Sequence, residues 1–161
     1  HYDYKGKLSA DEADFVYFLI VTGLRLEEVK TLRWGNVTAT TYTVTDTKNG
    51  VDHTLPITES IARLLARNGS DSEWVFPGKG GSYSSMSSVV KRLVASTGVN
   101  FTAHDLRRTA ATIASEHGFS RDQIGLLLNH AVSNVTDGYI QKTTTAILPI
   151  LEAIESSILG R

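Results

Sequence analysis

Three times along this chain a hydroxyl residue stands three positions ahead of an acid or amide, at the head of a run whose apolar residues recur every three or four places. Ser9 and Glu12 precede Phe15, Phe18 and Leu19; Thr102 and Asp105 precede Leu106, Ala110, Ile113 and Ala114; Ser120 and Gln123 precede Ile124, Leu127 and Leu128. Such reciprocal caps satisfy backbone N–H groups that an α-helix start leaves open, so each marks a helix beginning. The spacing predicts helices over about 9–22, from Thr102 to Gly118, and after Ser120. Further helical patterns run from Leu26 to Leu32, from Thr58 through Ile61, Leu64 and Leu65, over 85–97, and along Ile147, Leu151, Ile154 and Ile158. The period changes clearly in one place. Thr41–Thr45 and Asp52–Ile57 are rich in strand-forming residues and flank Asn49-Gly50, a strong hairpin signal. The expected architecture is mainly α with a small antiparallel β-sheet, an α+β fold, without internal repeats.

A chain of 161 residues can bury enough surface to fold as one domain, 1–161, without a metal or disulfide staple. Cysteine is absent, which excludes disulfides, thiol nucleophiles and thiolate metal sites. The apolar stretch from Phe15 to Val21 is far too short to span a bilayer, so the expectation is a cytoplasmic protein with no membrane partner. A start at His1-Tyr2-Asp3 reads as a domain excised from something longer, with His1 as a remnant. Net charge is -1, yet residues 61–121 carry 8 Lys/Arg against 4 Asp/Glu. Locally basic surface of this kind can hold a phosphate polymer even when the total is near neutral. Lys91, Arg92 and Arg108 in this region are candidate DNA contacts.

Gly78-Lys79-Gly80-Gly81-Ser82 looks like a phosphate cradle but lacks the Gly-Lys-Ser/Thr ending that opens a helix, so it reads as an ordinary loop. His104 and Arg107 are three apart on a predicted helix and should project from one face, an arrangement suited to a phosphate or carboxylate. Glu28, three after Arg25, reads as a structural acid holding its helix and that arginine. Trp34, Trp74 and Phe76 read as core anchors, His117 as a partner of a helix C-terminus, and His53 as a strand surface residue. His104 and His130 have no carboxylates at ligand spacing, so no metal site is expected.

Taken together, Thr22-Gly23-Leu24-Arg25, Lys48 beside Asn49-Gly50, His104-Asp105-Leu106-Arg107-Arg108, Leu128-Asn129-His130 and Tyr139 resemble, in order and spacing, the catalytic domain of tyrosine recombinases of the phage integrase family. Leu-Asn-His departs from the Leu-Gly-His of Xer-like members and looks more like prophage integrases. The resemblance implies a site-specific recombinase that cleaves and rejoins double-stranded DNA through a 3′-phosphotyrosyl intermediate, and the fold of that catalytic domain. It implies Tyr139 as nucleophile, Arg25 and Arg107 as clamps on the phosphate oxygens, Lys48 as general acid, and His104 and His130 as hydrogen-bond donors. It also implies no cofactor and no metal, amino-terminal DNA-binding domains outside this chain, and a homotetramer on DNA in the full-length protein. The residue chemistry is compatible. A phenol of pKa about 10 needs help to attack at neutral pH, and paired guanidinium groups supply the field.

Thr109 to His130 also reads as a helix-turn-helix, with the turn at Gly118. The alternative is therefore a non-catalytic DNA-binding regulator, which would leave Arg25, Lys48 and Tyr139 without a shared role.

Overall fold

The computed structural model describes residues 8–45, 47–69, 71–78, 81–82, 86–130 and 137–161, with 81–82, 86–87 and 137–139 described by backbone alone. The elements run α1 (Ala10–Thr22), α2 (Leu26–Lys30), a 3₁₀ turn (Trp34–Asn36), β1 (Thr41–Val44), β2 (His53–Pro56), α3 (Glu59–Arg67), β3 (Pro77–Gly78), β4 (Gly81–Ser82), α4 (Met86–Thr97), α5 (Ala103–Glu116), α6 (Arg121–Leu127) and α7 (Asp137–Leu159). The mainly α fold with a small antiparallel sheet is thus as expected. All three capping boxes form at the starts of α1, α5 and α6. At α1, for example, the Glu12 N–H donates to Ser9 Oγ at 3.2 Å and the Ser9 N–H to Glu12 Oε2 at 2.9 Å. Loss of such a cap costs about 1 kcal/mol.

Four features differ from the local reading. α7 begins at Asp137, ten residues before the apolar stripe that announces it, so Tyr139 sits on helical backbone in the first turn. The intervening threonines do not break the helix because their hydroxyls bond the preceding turn, Thr144 Oγ1 to the Ile140 carbonyl at 3.1 Å and Thr145 Oγ1 to the Gln141 carbonyl at 2.9 Å. The glycine loop also pairs as a second short ladder, Pro77 with Ser82 and Gly78 with Gly81. Lys79 and Gly80, like His1, lie outside the described residues.

β1 and β2 are antiparallel, with Thr41 opposite Pro56 and Val44 opposite His53. Their connection, 45–52, is longer than the two-residue loop that Asn-Gly suggests. Within it, Thr47–Gly50 forms a turn closed by the Gly50 N–H to the Thr47 carbonyl at 2.9 Å, with Gly50 at φ 68°. Lys48 is exposed on that turn. Period-2 alternation places His53 on the same face as Leu55, and both are buried, which corrects the expectation of a surface histidine.

The core joins α1 to the sheet through an aromatic cluster. Phe76 stands edge-on to Phe15 and Phe18, at 5.4 and 5.2 Å between centroids, and Phe18 lies 5.2 Å from Tyr42. Each such pair adds about 0.5–1.5 kcal/mol to simple burial. α7 lays Ile147, Ile150, Leu151 and Ile154, all buried, against α1, α5, α6 and β2, so its apolar stripe packs within the chain. Buried Glu155 accepts hydrogen bonds from Thr58 and from Ser60, the latter at 2.8 Å, and ties α7 to the start of α3. Phe76 is a core residue, Trp34 is half-buried, and half-buried Trp74 carries the Arg33 guanidinium 4.4 Å above its ring. His117 caps the C-terminus of α5 and contacts Ser157 Oγ at 2.7 Å. The pair α5 and α6 does form around Gly118, but both helices pack on α7 rather than standing as a separate unit.

Candidate active site

The motif Thr22-Gly23-Leu24-Arg25 is the C-terminal stop of α1 and the start of α2. Thr22 is buried and its hydroxyl donates to the Phe18 carbonyl at 2.6 Å. Gly23 takes a left-handed conformation, φ 63°, and a Cβ there would come within 2.9 Å of Leu128 Cδ2 and 3.3 Å of Ala110 Cβ. Leu24 enters the core, and Arg25 is left half-exposed just outside it. Buried Glu28 accepts from the Arg25 backbone N–H at 2.8 Å and from its Nη1 at 3.0 Å. One carboxylate therefore caps α2 and aims the guanidinium, as the sequence suggests.

Arg107 comes from the second turn of α5 and is buried, 7% exposed. Its Nη1 donates to the Gly23 carbonyl at 2.6 Å, and its Nη2 to the Leu128 carbonyl at 2.7 Å. The second contact depends on how α6 ends. The His130 N–H bonds the Gly125 carbonyl at 2.9 Å and the Asn129 N–H the Leu126 carbonyl at 3.3 Å, which is the double closure of a Schellman cap. Asn129 occupies the left-handed position at φ 53°. Leu-Asn-His is thus a helix stop that turns the Leu128 carbonyl and the His130 ring toward Arg107.

His130 Nε2 lies 3.2 Å from Arg107 Nη2. A guanidinium only donates, so Nε2 accepts, and in the neutral ring the proton sits on Nδ1. Burial, Arg107 and Arg25 all lower the His130 pKa, which favours that neutral form and makes Nδ1–H its donor. Burial and then the nearby Arg25 push Arg107 down to about 10, against the pull of Glu28. Arg107 remains charged at neutral pH. Two guanidinium groups thus face one carboxylate, leaving a local excess of positive charge that an anion would relieve.

Over residues 1–145 the chain matches the phage integrase family. It belongs to that family. Among solved structures it is similar to the integrase from mycobacterium phage Brujita, with a TM-score of 0.71 and 22% identity over 94% of this chain and 54% of that one. It is also similar to a lambda integrase tetramer bound to a Holliday junction, with a TM-score of 0.62 and 19% identity over 80% of this chain and 43% of that one. The lambda integrase catalytic core matches with a TM-score of 0.61 and 18% identity over 79% of this chain and 88% of that one. The chain spans about half the length of the Brujita phage integrase. No curated protein sequence matches significantly.

The fold of this integrase-family chain brings Arg25, Arg107 and His130 together. His104 is exposed at the second position of α5, one turn from Arg107. Lys48 is exposed on a turn that is tied to the end of α6, where the Asn49 side chain donates to the Asn129 carbonyl. Tyr139 is the third residue of α7, and its side chain lies outside the described residues. Lys91 is exposed on α4, and Arg108 is exposed with Asp105 3.9 Å away. Arg92 is half-buried in an ion pair with Glu12 that holds α4 to α1, so the fold itself neutralises its charge. Among the described residues no group of three or more His, Asp or Glu gathers at metal-binding spacing, and no helix is long and apolar enough to cross a membrane.

His53 is the site neighbour that local reasoning misplaced. Its Nε2 lies 2.9 Å from the Leu127 carbonyl, so Nε2–H donates and the neutral ring braces the turn that carries His130. Burial lowers its pKa below 6.5, opposed by the Leu127 carbonyl and Glu28 and assisted by Arg107 and Arg25. Both His53 and His130 are harder to protonate folded than unfolded. Their contribution to stability is therefore complete above about pH 6.5 and is lost as pH falls through their depressed folded values. The urea midpoint should decline from pH 7.5 to 5, and His53→Gln, which keeps a donor but does not titrate, should flatten that decline. An unchanged slope in the variant would remove His53 from the account.

Proposed function

We propose that this domain is the catalytic unit of a site-specific recombinase that breaks and rejoins double-stranded DNA through a 3′-phosphotyrosyl link. The observation that carries the reading is the excess positive charge of Arg25 and Arg107 beside a neutral His130, assembled from three separate segments around backbone carbonyls. In this reading Arg25 and Arg107 hold the non-bridging oxygens and stabilise the pentacoordinate transition state more than the ground state. Tyr139 attacks phosphorus, and the bond to the 5′-oxygen breaks. Lys48 protonates the departing oxygen, and His104 and His130 donate hydrogen bonds to the phosphate, with His104 able to take the phenol proton. The phosphotyrosyl bond keeps the energy of the broken linkage, so a 5′-hydroxyl of another strand can reverse the attack without ATP.

The guanidinium groups supply the charge that a metal ion supplies in many nucleases, so the proposed reaction uses no metal and no cofactor. The lambda integrase relative forms a tetramer bound to a Holliday junction. By analogy the proposed working assembly of the full-length protein is a homotetramer on DNA, positioned by further domains, with exposed Lys91 and Arg108 contacting the backbone. A nicked suicide substrate that loses its 5′-hydroxyl fragment should yield a denaturation-resistant protein–DNA adduct in excess EDTA. Activity lost in EDTA and restored by Mg²⁺ or Zn²⁺ would place the chemistry in another class.

A further inference from the structure

The turn carrying Lys48 and the start of β2 that follows it are tied to the end of α6 at three points. The Asn49 Nδ2 donates to the Asn129 carbonyl, the Asn129 Nδ2 donates to the Val51 carbonyl at 3.4 Å, and His53 Nε2–H donates to the Leu127 carbonyl. Within the turn, Thr47 is buried, its hydroxyl donates to the Val51 carbonyl at 2.5 Å, and it accepts from the Val51 N–H at 3.2 Å. Asn129 is itself buried, 5% exposed, and is a non-glycine residue at positive φ. A left-handed helix stop favours glycine on backbone grounds alone. The amide at this position is therefore not needed for the cap. It is needed for the second tie, and the φ of 53° is what presents the Asn129 carbonyl to Asn49.

The same three-residue turn hands the Leu128 carbonyl and the His130 ring to Arg107. One short segment thus connects the phosphate-facing guanidinium to the loop that bears the ammonium.

We propose that Asn129 and Asn49 are positioning residues: a two-amide clamp that fixes the Lys48 turn against the Arg107 cradle before DNA arrives. The inference rests on the reading of Lys48 as the general acid. With the clamp in place, the ammonium is held in one region relative to the phosphate. Without it, the turn loses its anchor on α6, and the internal Thr47 bonds that hold the Gly50 and Val51 amides open more often.

Asn129→Gly separates this role from a structural one, because glycine keeps the left-handed cap and removes only the amide. Asn49→Ala removes the partner donor. In both variants of the full-length protein, hydrogen exchange at the Gly50 and Val51 amides should accelerate about tenfold, while the thermal midpoint of Asn129→Gly stays at or above that of the parent. Single-turnover cleavage of a nicked duplex should slow about tenfold, and a substrate with sulfur at the bridging 5′ position should restore it to within about twofold, since a thiolate leaves without a proton. Lys48→Ala, run alongside, should show a larger loss with the same rescue. Unchanged exchange in both Asn variants overturns the clamp. Faster exchange with no sulfur rescue, while Lys48→Ala is rescued, shows a clamp that does not position the acid and also overturns the proposal. If Lys48→Ala is not rescued, the acid assignment falls and takes the positioning role with it; the exchange data then still show whether the clamp exists.

Discussion

Replacing Tyr139 by phenylalanine should abolish the covalent protein–DNA adduct, a loss of about 10⁴-fold or more. The change removes one oxygen atom, and with it the only proposed attacking group. Neither guanidinium nor imidazole can substitute for it, because a guanidinium only donates and His130 Nε2 already accepts from Arg107. Helical backbone at Tyr139 continues into a helix anchored by buried Ile147, Ile150, Leu151 and Ile154, so loss of a hydroxyl in its first turn should leave the fold and DNA affinity intact. The assay is the suicide substrate on a denaturing gel, with DNA binding measured in parallel. Equal adduct yield from Tyr139→Phe would remove this residue from the chemistry.

Arg107→Lys should lose about 10³-fold in single-turnover cleavage and, unlike Arg25→Lys, should also destabilise the fold by about 2–4 kcal/mol. The two arginines have the same proposed role toward phosphate but different attachments. Arg107 is buried and bridges the Gly23 and Leu128 carbonyls from two nitrogens of one planar group. A single ammonium cannot span both and still face a phosphate, so at least one buried carbonyl loses its partner. Arg25 is half-exposed and its side chain pairs with Glu28, so its replacement should slow cleavage with a much smaller change in stability. Urea unfolding of both variants, next to cleavage at a temperature where both are folded, makes the comparison. Equal stability losses at the two positions would contradict this division of labour.

The sequence motifs acquire physical meaning at the site in unequal degrees. Thr-Gly-Leu-Arg is legible because each residue answers a local demand: a hydroxyl closing the helix, a left-handed stop, an apolar anchor, then the charge. Leu-Asn-His is legible as a helix end, since asparagine is among the few non-glycine residues that accept that φ, but the use of its amide is not. His53 carried a usable signal. Its period-2 spacing from Leu55 assigns it to the buried face, and that spacing outweighs the polarity of the ring once the Leu127 carbonyl supplies a partner. Arg92 carried none: a basic residue on a helix in the cationic middle of the chain gives no sign that Glu12, eighty residues earlier, will take it.

Helix starts, helix stops and the hairpin were determined by the sequence itself, because a cap or a turn is closed by residues three or four apart and needs no other part of the chain. The start of α7 already escapes that rule, since threonine hydroxyls that fit a coil equally well are held helical here by the packed remainder of the helix. Apart from the local pair of Arg25 and Glu28, the site lies beyond it. Arg107 meets Gly23 across 84 positions and Leu128 across 21, and Asn49 meets Asn129 across 80. Each of those bonds joins a side chain to a backbone carbonyl, a group that every residue owns, so no residue type at the accepting end announces it. Only packing α1, α5, α6 and the hairpin around one core decides which carbonyls are left facing inward, and hence where the arginine is held and where the turn that bears the lysine is tied.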